Sequence, residues 1–187
     1  DGVTEFQAGE RVAYGIPPLG SYAEIHNYPA DKLPHLPEGP DDREVAALLM
    51  NVTTAHYLLH RTYAVKPGDT ILVHAAAGGM GLILCQWAKA MGATIVGTVS
   101  TEEKAEAARA AGCDYAVVRS KNSFLEVVRE VTNGEGCAVV YEAIGKDTMR
   151  ESLDSLRLMG VSAAYGHVSG PPDPIDVIQD LGRRGSL

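Results

Sequence analysis

Residues 69–81, with the sequence Asp-Thr-Ile-Leu-Val-His-Ala-Ala-Ala-Gly-Gly-Met-Gly, decide the fold of this 187-residue chain. Residues 70–74 are typical of a buried β-strand, and a glycine-rich turn leads from them into an apolar helix predicted over 81–91. Small residues in such a turn let the backbone approach a pyrophosphate group. The helix that follows offers unpaired N–H groups and the positive end of its dipole. The stretch therefore predicts a dinucleotide site.

The glycines of this turn fit the dinucleotide fingerprint G-x-G-x-x-G with one substitution. The three key positions hold Ala76, Gly78 and Gly81, so alanine stands where the first glycine is usual. Glycine spacing alone is a weak signal, but here it follows a strand and opens a helix, which is the context that the motif requires. This context favours a nucleotide site over the alternative, a βα turn that binds nothing.

Strands and helices alternate along most of the chain. A helical pattern begins at residue 41 and continues to about residue 63, and after it the predicted strands are 70–74, 94–99, 115–118, 138–142 and 161–165. The predicted helices between and after them are 81–91, 102–111, 123–132, 147–156 and 175–181. Such alternation predicts an α/β fold, a doubly wound parallel sheet of the Rossmann type with right-handed crossovers.

The first 40 residues differ from the rest, since they are rich in proline and predict short strands at 10–14 and 21–27. We therefore expect two parts, residues 1–40 and 41–187. The chain begins with Asp and ends at Gly-Ser-Leu, where another strand would start. We expect it to be a fragment of a longer protein.

Composition and charge narrow the classes of partner. The net charge is −8 and the largest basic cluster is the pair Arg183–Arg184, so we expect no nucleic-acid partner. No apolar run approaches the ~20 residues that a membrane span needs, so we expect no membrane partner. The three cysteines, Cys85, Cys113 and Cys137, fit neither a disulfide framework nor a zinc site, which predicts a reducing, cytoplasmic protein.

The end of the second predicted strand indicates which nucleotide is bound. NAD sites place a carboxylate there to hold the ribose hydroxyls. This strand ends instead in Ser100, with Lys104 one helical turn later and Arg119 at the end of the third strand. A hydroxyl and two cations suit a 2′-phosphate, which predicts NADPH. In the alternative interpretation Ser100 caps the helix, and Lys104 is a solvated surface residue.

Several runs of sequence resemble the NADPH-dependent quinone oxidoreductases, which are zinc-free members of the medium-chain dehydrogenase/reductase superfamily related to ζ-crystallin. These runs are Gly-Ser-Tyr-Ala-Glu at 20–24, the glycine turn at 74–81, Cys-Gln-Trp-Ala-Lys at 85–89, Gly-Thr-Val at 97–99 and Val-Tyr-Glu-Ala-Ile-Gly at 140–145. The resemblance implies that residues 1–40 are the C-terminal part of a GroES-like catalytic domain. It also implies that residues 41–187 are the Rossmann NADPH-binding domain, with its last strand truncated.

The resemblance further implies a set of cofactor contacts. Arg119 stands where some relatives have tyrosine, and Ala143 where some have serine. The implied contacts are Thr54 at the nicotinamide end, Gly78, Gly79 and Met80 at the pyrophosphate, Ser100, Thr101, Lys104 and Arg119 at the 2′-phosphate, Ala143 after the fourth strand, and Tyr165, Gly166 and His167 in the nicotinamide pocket.

The activity that the resemblance implies is hydride transfer from NADPH to a quinone or a similar electrophilic carbonyl or alkene. It also implies a small-molecule substrate and a homodimer in the intact protein. The sequence indicates no metal ligands and no catalytic residue, and we expect the fragment itself to be inactive because it holds only part of the catalytic domain. A non-catalytic NADPH-binding module, either a sensor or a crystallin-like protein, and an enoyl reductase remain as alternatives.

Overall fold

The computed structural model describes residues 2–176, 178 and 180. The chain divides into two compact units, Asp1–Thr53 and Thr54–Leu187. The division falls inside the first helix, α1, which spans Asp42–Tyr57 and continues as a π-helical segment over Leu58–Thr62. The GroES-like nature of the first 40 residues stays a prediction.

The first unit contains little regular structure before α1. A short 3₁₀ helix spans Ala30–Lys32, and a single antiparallel bridge joins Val12 to His35. The strands predicted at 10–14 and 21–27 are wrong, because neither segment finds a neighbouring strand with which to form a ladder among the described residues. The rings of Tyr14 and Tyr28 stack instead, with their centroids 4.2 Å apart.

The second unit is built on a five-stranded parallel sheet in the order β3-β2-β1-β4-β5. The strands are β1 Thr70–Val73, β2 Thr94–Val99, β3 Tyr115–Val118, β4 Cys137–Glu142 and β5 Leu156–Ala164. The helices between them are α2 Gly79–Ala90, α3 Glu102–Ala110, α4 Phe124–Val131 and α5 Met149–Asp154. The predicted α/β fold is confirmed.

Both faces of the sheet are covered, so its strands are apolar almost throughout. Ile71 packs in the cluster that includes Leu84 of α2 and Ala108 of α3. Leu72, the next residue, packs on the other face in the cluster that includes Val128 of α4. Because side chains alternate along each strand, the sheet contributes residues to two hydrophobic clusters, one on each face. The sheet is doubly wound, as predicted.

Predicted boundaries in this unit need correction, most clearly at α2, α5 and β5. Helix α2 begins at Gly79, two residues before the predicted start, because Gly78 is its N-cap. Helix α5 ends at Asp154, and β5 begins at Leu156, whereas the sequence predicted helix to 156 and strand only from 161. A register shift between β4 and β5, with Met159 at φ 60°, breaks the strand pattern there. The helix predicted over 175–181 falls largely outside the described residues.

Gly81 has a packing role, which gives a first testable prediction. A Cβ added there would lie 2.6 Å from Ala76 Cα and closer still to the carbonyl oxygen of Ala75. We expect Gly81→Ala to lower the free energy of unfolding by about 1–3 kcal/mol, the usual cost of overpacking a rigid site. Urea unfolding measures this, with Gly78→Ala as the control, since a Cβ at Gly78 lies 3.2 Å from the same oxygen. An equal loss in both variants would contradict the packing role of Gly81.

Candidate functional site

A cavity of about 310 Å³ lies at the carboxyl edge of the parallel sheet. From the adjacent strands β1 and β4 the chain continues in opposite directions, to β2 on one side of the pair and to β5 on the other. The gap between the carboxyl ends of β1 and β4 is therefore the topological switch point, where ligands bind in such folds. The cavity is lined by Ala75, Ala77, Gly78, Thr98, Val99, Ser100, Lys104, Arg119, Ile144 and Val168.

The glycine turn forms one wall of this cavity. Ala75 takes a left-handed conformation, φ 51°, and its carbonyl oxygen accepts from the amide of Gly78 at 2.8 Å. The nearest atom to a Cβ built on Gly78 is that same oxygen, so the cavity side of Gly78 is open. As the N-cap, Gly78 has no side chain to satisfy the first amides of α2. Those amides therefore suit an anion held at the turn.

The alanine at the first position of the fingerprint is accommodated by a glycine in the next strand. A Cβ on Gly97 would lie 2.7 Å from the Cβ of Ala76 and 2.6 Å from Cys113 Sγ. The amide of Ala76 also donates to the carbonyl oxygen of Thr98 at 2.9 Å, which fixes the turn to the end of β2. Gly97 thus makes room for Ala76, and the turn keeps its shape despite the substitution.

Ser100 and Lys104 form a second wall. Lys104 Nζ donates to Ser100 Oγ at 3.2 Å, and both residues are exposed to the cavity. The N-cap of α3 is Thr101, whose hydroxyl oxygen accepts from the Lys104 amide at 3.2 Å. The alternative in which Ser100 caps this helix is therefore wrong, and Thr101 has a capping role.

The charge at this wall is positive. Arg119 reaches the cavity from the end of β3, and among the described residues neither Arg119 nor Lys104 has an acidic partner. The nearby carboxylate of Glu102 instead pairs with Lys121 at 2.7 Å, and this hydrogen bond lowers the Glu102 pKa. Within the described part of the chain, no carboxylate lines the cavity. The arrangement favours a ligand that carries phosphate at this end.

The structure brings together four of the predicted site residues: Gly78, Ser100, Lys104 and Arg119 all line the cavity. Gly79 and Met80 open α2 next to Gly78 but are not lining residues, and Thr101 is occupied as a cap. Thr54 lies half-buried in α1 and does not line the cavity.

In the described segment that follows β5, the residue that lines the cavity is Val168. Tyr165 donates its amide to the carbonyl oxygen of Glu142 at 3.0 Å, and Val168 donates to that of Ala143 at 3.2 Å. Val168 is a lining residue, whereas Ala143, Tyr165, Gly166 and His167 are not. Their contacts at the nicotinamide end stay a prediction.

Sequence reasoning missed a buried carboxylate beneath the cavity. Glu142 is fully buried at the end of β4, and its Oε1 accepts from the amides of Ile144 at 2.7 Å and Gly145 at 3.1 Å and from Thr148 Oγ1 at 2.9 Å. Burial alone would raise the pKa of Glu142, but the neighbouring His74, the hydrogen bond from Ser152 and the amides of Gly145 and Ile144 keep the pKa below its usual value. The available signal was a charged residue that ends an otherwise apolar strand.

Within residues 2–176, 178 and 180, no three His, Cys, Asp or Glu side chains converge in a way that could hold a metal ion. None of the described helices is both long and apolar enough to span a membrane.

A doubly wound parallel sheet, with a glycine turn and a cationic cavity at its switch point, defines a Rossmann nucleotide-binding domain. Comparison with known families agrees: residues 79–185 match the profile of the zinc-binding dehydrogenases. The chain belongs to this dehydrogenase family.

Individual relatives confirm the predicted resemblance to the quinone oxidoreductases. A 2-haloacrylate reductase of Burkholderia sp is 56% identical over 188 residues, covering 100% of this chain and 56% of that protein. A quinone oxidoreductase of Pseudomonas aeruginosa is 45% identical, covering 99% and 57%. The crystal structure of Escherichia coli quinone oxidoreductase complexed with NADPH matches with a TM-score of 0.93 and 41% identity, covering 100% and 57%. The chain thus spans little more than half the length of these relatives.

Proposed function

We propose that this chain binds NADPH in the cavity at the switch point, and that the protein transfers hydride from it to an electrophilic alkene or carbonyl. The observation that carries the proposal is the convergence of the glycine turn with Ser100, Lys104 and Arg119 around one cavity. The NADPH complex of the E. coli relative, which shares this fold, supports it.

We infer that different lining residues bind different parts of the cofactor. The first amides of α2, beside Gly78, suit the pyrophosphate, since the backbone can approach closely and the helix end is positive. Ser100, Lys104 and Arg119 suit the 2′-phosphate, since they offer one hydroxyl and two cations and no carboxylate among the described residues lines the cavity beside them. We keep Thr54, Ala143, Tyr165, Gly166 and His167 as proposed contacts of the nicotinamide end.

The hydride acceptor that we propose is an electron-poor alkene or carbonyl of the type found in quinones and 2-haloacrylates. The basis is that one relative is a 2-haloacrylate reductase and another a quinone oxidoreductase. NADPH supplies the hydride, and the protein supplies position and electrostatics. We assign no proton donor among the described residues. The homodimer that the resemblance implies and the cytoplasmic location that the cysteines predict stay predictions.

Lys104 provides the test of cofactor choice. We expect Lys104→Ala to weaken NADPH binding by about 10- to 100-fold, because a charge-assisted contact with the 2′-phosphate contributes about 1.5–3 kcal/mol. NADH binding should barely change, since NADH lacks that phosphate. Titration of wild type and variant with both cofactors by calorimetry measures the difference. Lys121→Ala is the matched control, because Lys121 pairs with Glu102 and does not line the cavity. Equal weakening of NADPH and NADH by Lys104→Ala would show that Lys104 is a surface residue.

Turnover separates the remaining alternatives. NADPH oxidation by the intact protein is followed with 1,4-benzoquinone, with 2-chloroacrylate and with an enoyl thioester as the acceptor. Oxidation with either of the first two supports the proposed reductase, and preference for the thioester would favour an enoyl reductase. Tight NADPH binding without oxidation by any acceptor would favour a non-catalytic module.

A further inference from the structure

A chain of four buried polar side chains runs beneath the cavity, linking β2, β1, α5 and β4. His74 directly follows β1, and its Nδ1 lies 2.8 Å from Thr98 Oγ1 in β2. Its Nε2 lies 2.8 Å from Ser152 Oγ in α5, and Ser152 Oγ donates to Glu142 Oε2 at 2.6 Å. All four residues are at most 1% exposed. This series of hydrogen bonds is therefore shielded from water, and each donor and acceptor in it must find its partner within the protein.

The direction of this chain follows from its hydrogen atoms. The Glu142 carboxylate can only accept, so the single hydroxyl hydrogen of Ser152 is used there. Ser152 Oγ must then accept from His74, which places the imidazole hydrogen on Nε2. Nδ1 of the neutral ring is left as the acceptor for the Thr98 hydroxyl. The structure thus assigns the Nε2–H tautomer to His74, and each donor in the series points toward Glu142.

Both ends of the chain touch the walls of the cavity. At one end, the carbonyl oxygen of Thr98 accepts from Ala76 in the glycine turn, and Thr98 is itself a lining residue. At the other end, Glu142 Oε1 holds the amides of Ile144, a lining residue, and Gly145. The same carboxylate therefore orients the β4 loop and, through Ser152 and His74, the end of β2.

We propose that His74 and Glu142 are positioning residues for the dinucleotide, which hold the β2 and β4 walls of the cavity at the separation that the cofactor requires. The inference rests on the proposed function, since the ligand is NADPH. Neither side chain lines the cavity, so both act through other residues.

Two substitutions test the chain at different points. Ser152→Ala removes the central link, and we expect NADPH affinity to fall about tenfold while the protein stays folded. Glu142→Gln replaces one accepting oxygen with an amide that donates to Ser152. The Ser152 hydroxyl then turns to His74 Nε2, and the imidazole hydrogen moves to Nδ1. We expect this change of tautomer in the ¹⁵N spectrum of the ring, together with at least a tenfold loss of NADPH affinity.

The control is Ser155→Ala, because Ser155 is equally buried but its hydroxyl, among the described residues, bonds only at its own helix end, where it donates to Glu151 O at 2.8 Å. It is expected to lower stability as Ser152→Ala does, while NADPH affinity stays within twofold of wild type. If the four hydrogen-bonded side chains had a purely structural role, the two serine variants would bind NADPH with equal affinity. That result would overturn the proposal. An Nδ1–H tautomer in the wild type would also overturn it. Failure of the wild type to bind NADPH would refute the proposed function instead, and the tautomer measurement would still test the direction of the chain.

Discussion

Gly78→Val is expected to abolish dinucleotide binding, with the affinity for NADPH falling at least about 100-fold, or roughly 3 kcal/mol. The branched side chain would stand at the open side of the glycine turn, where the pyrophosphate must approach the first amides of α2. The sheet should survive, because the backbone of Gly78, φ −79° and ψ 169°, is one that valine adopts readily. Calorimetric titration with NADPH, together with thermal unfolding, separates the two effects.

The pattern across cofactors distinguishes this variant from Lys104→Ala. Valine at the pyrophosphate should remove NADPH and NADH binding alike, since both cofactors contain that group, whereas loss of Lys104 should affect NADPH alone. Gly78→Ala is the intermediate case, with its Cβ 3.2 Å from the carbonyl oxygen of Ala75, and a smaller loss of affinity is expected. A folded Gly78→Val protein that binds NADPH normally would show that the cofactor lies elsewhere.

Much of the sheet could be predicted because local pattern and tertiary role agree there. Strands β2 and β3 have the predicted bounds. β2 is rich in β-branched residues and buried on both faces of the sheet, and β3 ends in two buried valines. The cationic wall could also be anticipated. Ser100 and Arg119 follow neighbouring parallel strands, and the carboxyl ends of such strands meet at one edge.

The remaining features depend on contacts between distant residues. The early start of β5 arises from its pairing with β4 across a register shift, which no local period reveals. The segments predicted as strands near the N-terminus carry β-type residues, yet a strand exists only when a partner supplies the ladder. The buried chain beneath the cavity joins residues as much as 78 positions apart, such as His74 and Ser152. His74 and Glu142 were visible as polar ends of apolar strands, but their partners lie on other elements.

Acidification is expected to destabilise this protein through His74. Burial lowers the pKa of His74 from 6.5 to about 4, with Glu142 opposing the shift and Arg119 adding to it. Because the pKa is lower in the folded state, the unfolded chain binds the proton more readily. The stabilising contribution is therefore fully present above about pH 6.5 and is lost as the pH falls toward 4, with a total of roughly 3 kcal/mol. The lowered pKa of Glu142 acts in the same direction at lower pH.

Urea unfolding at a series of pH values between about 7 and 4.5 measures this loss, and His74→Gln isolates the histidine. The variant keeps a polar amide but cannot titrate, so its free energy of unfolding should be lower near pH 7 and should depend less steeply on pH. The difference in slope should approach one proton, about 1.4 kcal/mol per pH unit, between pH values of about 6 and 4.5. Equal slopes in the two proteins would mean that His74 takes up its proton as easily in the folded state as in the unfolded chain. That result would contradict a neutral imidazole bonded between Thr98 and Ser152 in a site without water.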